Sequence, residues 1–190
     1  AIMKMMNYYG VQGGLPQAVN VSGVFVNKEL AEQNNIDVPP VDWNFDEYTA
    51  FISSADCKNF WGAMDANNTF ISTGCKDVYY SLANYDGTGD HVNLTSDAVS
   101  ELLEYIPKWV KYSIWPNSDI GDVPTEFMDA NGWWGYNFFI NNAVLTHDGD
   151  PWMLDSASNP AEGFWGTAKS NDWDYYPYPS TEYAGNTVGL

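Results

Sequence analysis

The sequence predicts an α/β domain in which helices pack on a central, mostly parallel sheet. Three observations carry the prediction. Short apolar runs of strand length recur at Val21 to Asn27, Phe60 to Met64 and Ala143 to His147. Between them stand longer stretches whose apolar residues repeat at helical spacing. Clusters of Gly, Pro, Asn and Asp punctuate the joints. Strands that alternate with helices in this way form layers around a sheet whose strands run mostly in one direction. With 190 residues the chain can bury a sizeable core, and a single lobe over 1–190 is expected.

Taken in order, Tyr8 to Gln17 (YYGVQGGLPQ) is Gly-rich and reads as a short strand followed by a loop or hinge. Val21 to Asn27 is a strand, and a short helix runs from Lys28 to about Asn34 before Pro39-Pro40 ends the segment. Asn44 with Glu47 three residues on forms a capping-box pattern. Phe45, Tyr48, Phe51 and Ile52 then place a helix over Phe45 to about Ala55. After the strand ending at Met64, Ile71, Cys75, Val78, Tyr79 and Leu82 mark one helix face, with Asn68 or Thr69 as N-cap.

Asn84 to Asp90 is a turn, and Val99, Leu102, Leu103, Ile106 and Val110 stripe the next helix. Pro107 is expected to kink or end that helix. Trp115 to Ala130 reads as an acidic loop, and Trp133, Trp134, Phe138 and Phe139 as a short aromatic helix whose rings belong to the core. Trp173 to Tyr176 and Asn186 to Leu190 read as the last strands.

Composition narrows the function classes. The net charge is −18, and all seven basic residues are Lys; there is no Arg. Without the guanidinium fork, bidentate recognition of phosphate or carboxylate is disfavoured. So acidic a chain repels nucleic acid and anionic membranes, and favours a neutral or cationic small ligand. No apolar run approaches the ~20 residues of a membrane span, so no membrane insertion of this segment is expected. Nine Trp, thirteen Tyr and nine Phe supply 16% aromatics, which suits a surface that stacks on ligands.

Asn141 to Leu154 (NNAVLTHDGDPWML) concentrates that chemistry. A buried strand ends in Asp148-Gly149-Asp150-Pro151, where Gly tolerates a reversal and Pro opens a new segment. Trp152 follows directly. In open α/β sheets ligands bind beyond the carboxyl ends of the strands. An indole beside short acids there offers a flat apolar face and hydrogen-bond acceptors, matching the C–H face and hydroxyl rim of a sugar. The alternative is that Trp152 plugs the core behind a turn.

Other reactive residues point nowhere specific. The spacing of Cys57 and Cys75 matches no zinc motif; a disulfide and two free buried thiols both remain open. His91 and His147 stand apart. Asp148 and Asp150 share one turn, whereas glycosidase carboxylates face each other at ~5–10 Å. Asp86, Gly87 and Asp90 lack the terminal Glu of an EF-hand. No catalytic residue, metal site or cofactor is expected, and the N-terminus shows no signal-peptide pattern.

Several segments, in order, resemble family 1 extracellular solute-binding proteins, the sugar-binding subunits of ABC importers. Gly14-Leu15-Pro16 and Phe25-Val26-Asn27-Lys28-Glu29-Leu30 resemble the family's "GLP … YNKDL". Asp37-Val38-Pro39-Pro40 with Trp43 and Asp46-Glu47 is similar to "PPxTWDE", and Asn93-Leu94-Thr95-Ser96 opens a long helix. Phe139 to Thr146 with Asp148-Gly149 and Trp152-Met153-Leu154 resembles "FxxGKAAMTIDGxWML". Trp173 to Pro179 is similar to "WDVAPLP". Two departures stand out: Asp150 is an insertion before the Trp, and Asn141-Asn142 replaces Gly-Lys.

The resemblance implies a periplasmic-binding-protein-like (type II) lobe. Family members have two hinged lobes and about twice this length, so the chain is expected to be the second lobe of a larger protein. It further implies a non-enzymatic, monomeric receptor outside the cytoplasm, lipid-anchored when complete, that presents a carbohydrate to ABC permease subunits. The ligand-binding candidates by position are Asn20, Asn67, Asn68, Phe70, Asp148 and Trp152. Asn amides donate and accept, as vicinal hydroxyls require. Each has a structural alternative: Asn67 and Asn68 as turn and cap residues, Asn20 as a partner of local backbone, and Asp148 as a turn former. Two other classes remain: a fragment or accessory carbohydrate-binding module of a glycoside hydrolase, and a purely structural extracellular domain.

Overall fold

The computed structural model describes residues 7–15, 22–64, 100, 103–114, 124–131, 141–149 and 172–181. The chain opens with a hairpin, β1 (Asn7–Tyr8) against β2 (Val11–Gln12). Its two turn residues, Tyr9 and Gly10, have φ of 50° and 81°, the positive values that primed hairpin turns require. The expected strand and loop is thus a two-stranded ribbon.

A five-stranded sheet follows, with β3 (Gly23–Asn27), β4 (Trp61–Met64), β5 (Ser113–Ile114), β6 (Val144–Gly149) and β7 (Trp173–Tyr176). Their spatial order is β5-β4-β6-β3-β7. β4 is parallel to β5 and β6, whereas β3 is antiparallel to both β6 and β7. Four strands therefore share one direction and β3 alone runs against them. The expected flanked, mostly parallel sheet is present as a mixed sheet. Strand direction follows from long-range pairing, which periodicity does not report.

Four helices are described: α1 (Lys28–Gln33), α2 (Phe45–Ser53), α3 (Tyr105–Val110) and α4 (Thr125–Asn131). Asn27 caps α1 by accepting from the Leu30 amide. Asn44 and Glu47 form the expected capping box on α2, at 2.9 Å in each direction.

The core divides along β3. Val24 and Val26 join α1, α2 and α3 in one cluster with Trp43, Phe45, Tyr48, Ile52, Trp109 and Tyr178. Phe25 joins Trp61, Met64, Ile114, Val144 and Phe127 of α4 in the other. The alternation of β3 thus feeds both faces of the sheet. Trp109 is fully buried and packs edge-on to Phe45 and Tyr48, at 4.8 and 4.9 Å between ring centres.

Two expectations require correction, and one holds with a shift: the helical break expected at Pro107 falls at Glu104, beside the carbonyl that a proline ring crowds four residues back. Pro107 lies in the first turn of α3, where a missing N–H removes no intrahelical bond. The stripe through that helix is displaced in part: Ile106 packs against the core as expected, but Leu103 and Val110 are exposed while Tyr105 and Trp109 pack inward. The larger aromatic surfaces take the core position. Finally, the supposed acidic loop holds α4, whose Phe127 is buried against Trp61. The expected helix at 71–82, the aromatic helix at 133–139 and the strand at 186–190 lie outside the described residues.

Candidate functional site

Because β4, β5, β6 and β7 run the same way, their carboxyl ends meet at one edge of the sheet, together with the amino end of β3. Met64, Ile114, Gly149 and Tyr176 are the last residues of those strands, and Gly23 is the first of β3. In an open α/β sheet this edge is where ligands bind. Of the predicted site residues, Asp148 is described, and it lies there. Asn20, Asn67, Asn68, Phe70 and Trp152 lie outside the described residues, as do Asp150 and His91. In sequence, Asn20 precedes β3, Asn67 follows β4, and Trp152 follows β6.

Asp148 is not the turn former considered above. It is the penultimate residue of β6, paired with Val24, and Gly149 continues the strand opposite Gly23. The strand extends further than the Asp-Gly dipeptide suggests because β3 supplies a pairing partner for both residues. The Asp148 carboxylate accepts a hydrogen bond from the Tyr178 hydroxyl at 2.6 Å. On the next residue, the Gly149 carbonyl accepts from the Tyr175 hydroxyl at 2.8 Å.

Gly23 makes the second contact possible. Tyr175 belongs to β7, and β3 lies between β7 and β6. A Cβ on Gly23 would stand 3.0 Å from Cζ of the Tyr175 ring and 2.5 Å from the Tyr176 carbonyl oxygen. The missing side chain lets that ring cross β3. The sequence pattern did not single out Tyr175, Tyr178 or Gly23. The run Tyr175-Tyr176-Pro177-Tyr178 signals hydroxyls near a strand end, but nothing local indicates their partners.

His147, one residue earlier on β6, is half-buried, and its Nδ1 bonds to the Asp148 carbonyl. Burial holds its pKa at about 4, below the ordinary 6.5. The ring is therefore neutral at physiological pH, with the hydrogen on Nδ1 directed at that carbonyl.

The opposite edge carries different chemistry. A cavity of about 420 Å³ is lined by Lys28, Glu32, Asn35, Ile36, Asp37, Val38 and Asp172. Lys28 bridges Asp172 and Asp174 at 2.9 and 3.1 Å, and these carboxylates push its pKa up. Cys57 is a free, half-buried thiol, pushed above its ordinary pKa by burial and by Asp56. Among the described residues no group of His, Cys, Asp and Glu is arranged to hold a metal ion. No helix among them is long and apolar enough to cross a membrane.

No family model matches the sequence, and no curated protein sequence matches it. Solved structures do match. An ABC substrate-binding protein from Listeria monocytogenes in complex with cycloalternan aligns over 99% of this chain, with TM-score 0.65 and 19% identity. A cyclo/maltodextrin-binding protein complexed with maltotetraose aligns over 98%, with TM-score 0.61 and 21% identity. A solute-binding protein from Thermotoga lettingae bound with α-D-tagatose aligns over 99%, with TM-score 0.62 and 17% identity. The chain spans 46%, 44% and 46% of these structures, a little under half of each. It has the periplasmic-binding-protein-like fold expected from the motifs.

Proposed function

We propose that this chain is the second lobe of an extracytoplasmic receptor that captures a neutral carbohydrate for an ABC importer. The observation that carries the reading is the near-complete match of this fold to proteins solved with sugars bound. The direction of the strands supports it: the strand ends to which Asn20, Asn67, Asn68, Phe70, Asp148 and Trp152 connect share one edge.

The mechanism is reversible capture. Trp152 stacks on a pyranose face, and the Asn amides and Asp148 bond its hydroxyls. A second lobe closes over the sugar, and the closed form docks on the permease. In this reading the receptor is monomeric and lipid-anchored, and it alters no bond of its ligand. The strong negative charge and the absence of Arg fit a neutral ligand better than an anionic one.

Calorimetric titration of the intact protein with maltose, maltotetraose, cycloalternan, chitin oligosaccharide, D-tagatose and D-mannitol tests the reading. Binding of at least one glycan without release of reducing sugar is expected. Trp152→Ala should weaken that binding at least about tenfold, roughly 1.4 kcal/mol. Unchanged affinity would remove the stacking role. Release of reducing sugar would favour a glycoside hydrolase, and silence across the panel a structural domain.

A further inference from the structure

We propose that Tyr178 is a positioning residue, whose hydroxyl acts through the Asp148 carboxylate to aim the carboxyl end of β6 at a bound glycan. The proposal rests on the carbohydrate-binding reading above and names a residue that reading does not contain.

Tyr178 is held in place before it touches Asp148. It is 1% exposed and packed in the core cluster that contains Trp43 and Tyr176. On one side the Trp43 indole N–H bonds the Pro177 carbonyl at 2.8 Å. On the other, the Ser180 amide donates to the Trp43 carbonyl, and the Phe45 amide donates to the Ser180 carbonyl, both at 2.9 Å. These two backbone bonds make up a parallel bridge between Asn44 and Ser180. Residues 177–180 are thus sewn to the start of α2, and the phenol enters the core from a fixed backbone.

Its bond to Asp148 Oδ1 is a short one, 2.6 Å, as charge-assisted O–H···O⁻ bonds are. A carboxylate anchored at one oxygen has lost most of its freedom to rotate, so its other oxygen faces a defined direction. Tyr175, which packs against the opposite core cluster, holds the neighbouring Gly149 carbonyl from the other face of the sheet. Two consecutive residues of β6 are therefore gripped from two faces, directly before the segment that carries Trp152. Such prior ordering lowers the entropic cost of fixing the site when a ligand arrives.

A double-mutant cycle in the intact protein tests this, using whichever panel glycan gives the largest calorimetric heat. Tyr178→Phe keeps the ring and removes the hydroxyl. It should weaken affinity about tenfold while thermal unfolding moves by only a few degrees. In an Asp148→Ala background the same substitution should cause little further loss, because no side-chain oxygen is left for the hydroxyl to bond. A merely structural role predicts the same loss in both backgrounds, and that additivity would overturn the proposal, as would wild-type affinity in Tyr178→Phe. Should Tyr178→Phe fail to fold, Asp148→Glu serves instead. It keeps the charge but displaces the carboxylate from Tyr178, and wild-type affinity there would overturn the proposal. If the wild-type protein binds no glycan, the carbohydrate reading and this inference fall together; every other negative result removes the inference alone.

Discussion

The Asn27 amide donates to the Asn142 side-chain oxygen at 2.8 Å, across 115 positions of sequence. Asn27 is fully buried, and its own oxygen accepts from the Leu30 amide at 3.0 Å. One side chain therefore starts α1 and ties the end of β3 to the entry of β6. Asn142 sits at φ 57°, a conformation Asn tolerates better than most residues. Asn27→Ala should lose the cap and leave the Asn142 oxygen without this donor, at about 2 kcal/mol in urea unfolding. Asn27→Asp keeps the cap acceptor but buries a carboxylate, so it should also be less stable than wild type. Wild-type stability in Asn27→Ala would show that neither the cap nor the tether contributes.

Gly62 of β4 sits directly beneath Ile52 of α2. A Cβ there would overlap the backbone at Cα, C and O of Ile52. Since backbone cannot swing aside like a side-chain tip, Gly62→Ala should push α2 off the sheet. A loss of about 3 kcal/mol or more is expected, at the upper end of overpacking costs. A denaturation midpoint near that of the wild type would mean that α2 does not pack this closely.

Acid should weaken the fold through His147. Its folded pKa is about 4, held down by burial, against the ordinary 6.5 of an unfolded chain. Between those values the unfolded state binds the proton and the folded state does not. The contribution is therefore complete above about pH 6.5 and is lost as pH falls toward 4. Its ceiling is on the order of 3 kcal/mol. His147→Gln should flatten the stability curve between pH 6.5 and 4 relative to wild type. Parallel curves for the two proteins would exclude His147 as the source.

Trp43 links α2 to the 177–180 segment through its indole N–H. Trp43→Phe keeps an aromatic ring but loses that bond and some volume. Destabilisation of about 1–3 kcal/mol is expected. Faster hydrogen exchange at the Ser180 amide, which bonds the Trp43 carbonyl, should accompany it. Unchanged protection of Ser180 would argue that the bridge to Asn44 alone holds the segment.

Much of this architecture was legible locally. The helix at Phe45–Ser53 follows from Asn44, Glu47 and four apolar residues at helical spacing, because capping and amphipathicity act within a few residues. The strands Gly23–Asn27, Trp61–Met64 and Trp173–Tyr176 likewise declared themselves as short apolar runs. The candidate site was legible only in part. Asp148 could be placed near a strand end, but its bond to Tyr178 joins residues 30 positions apart, and no local pattern specifies it.

By itself, then, the sequence marked the strands Gly23–Asn27, Trp61–Met64 and Trp173–Tyr176 and the helix that the Asn44–Glu47 capping box starts. Those features depend on contacts between near neighbours in the chain. Tertiary structure alone decided that β3 runs against four strands aligned the other way, and that Trp109 takes the core position left by Leu103 and Val110. It also decided that Tyr175 and Tyr178 grip the end of β6. Such choices are settled by competition for buried area and for hydrogen-bond partners far apart in sequence, which becomes definite only once the sheet has closed.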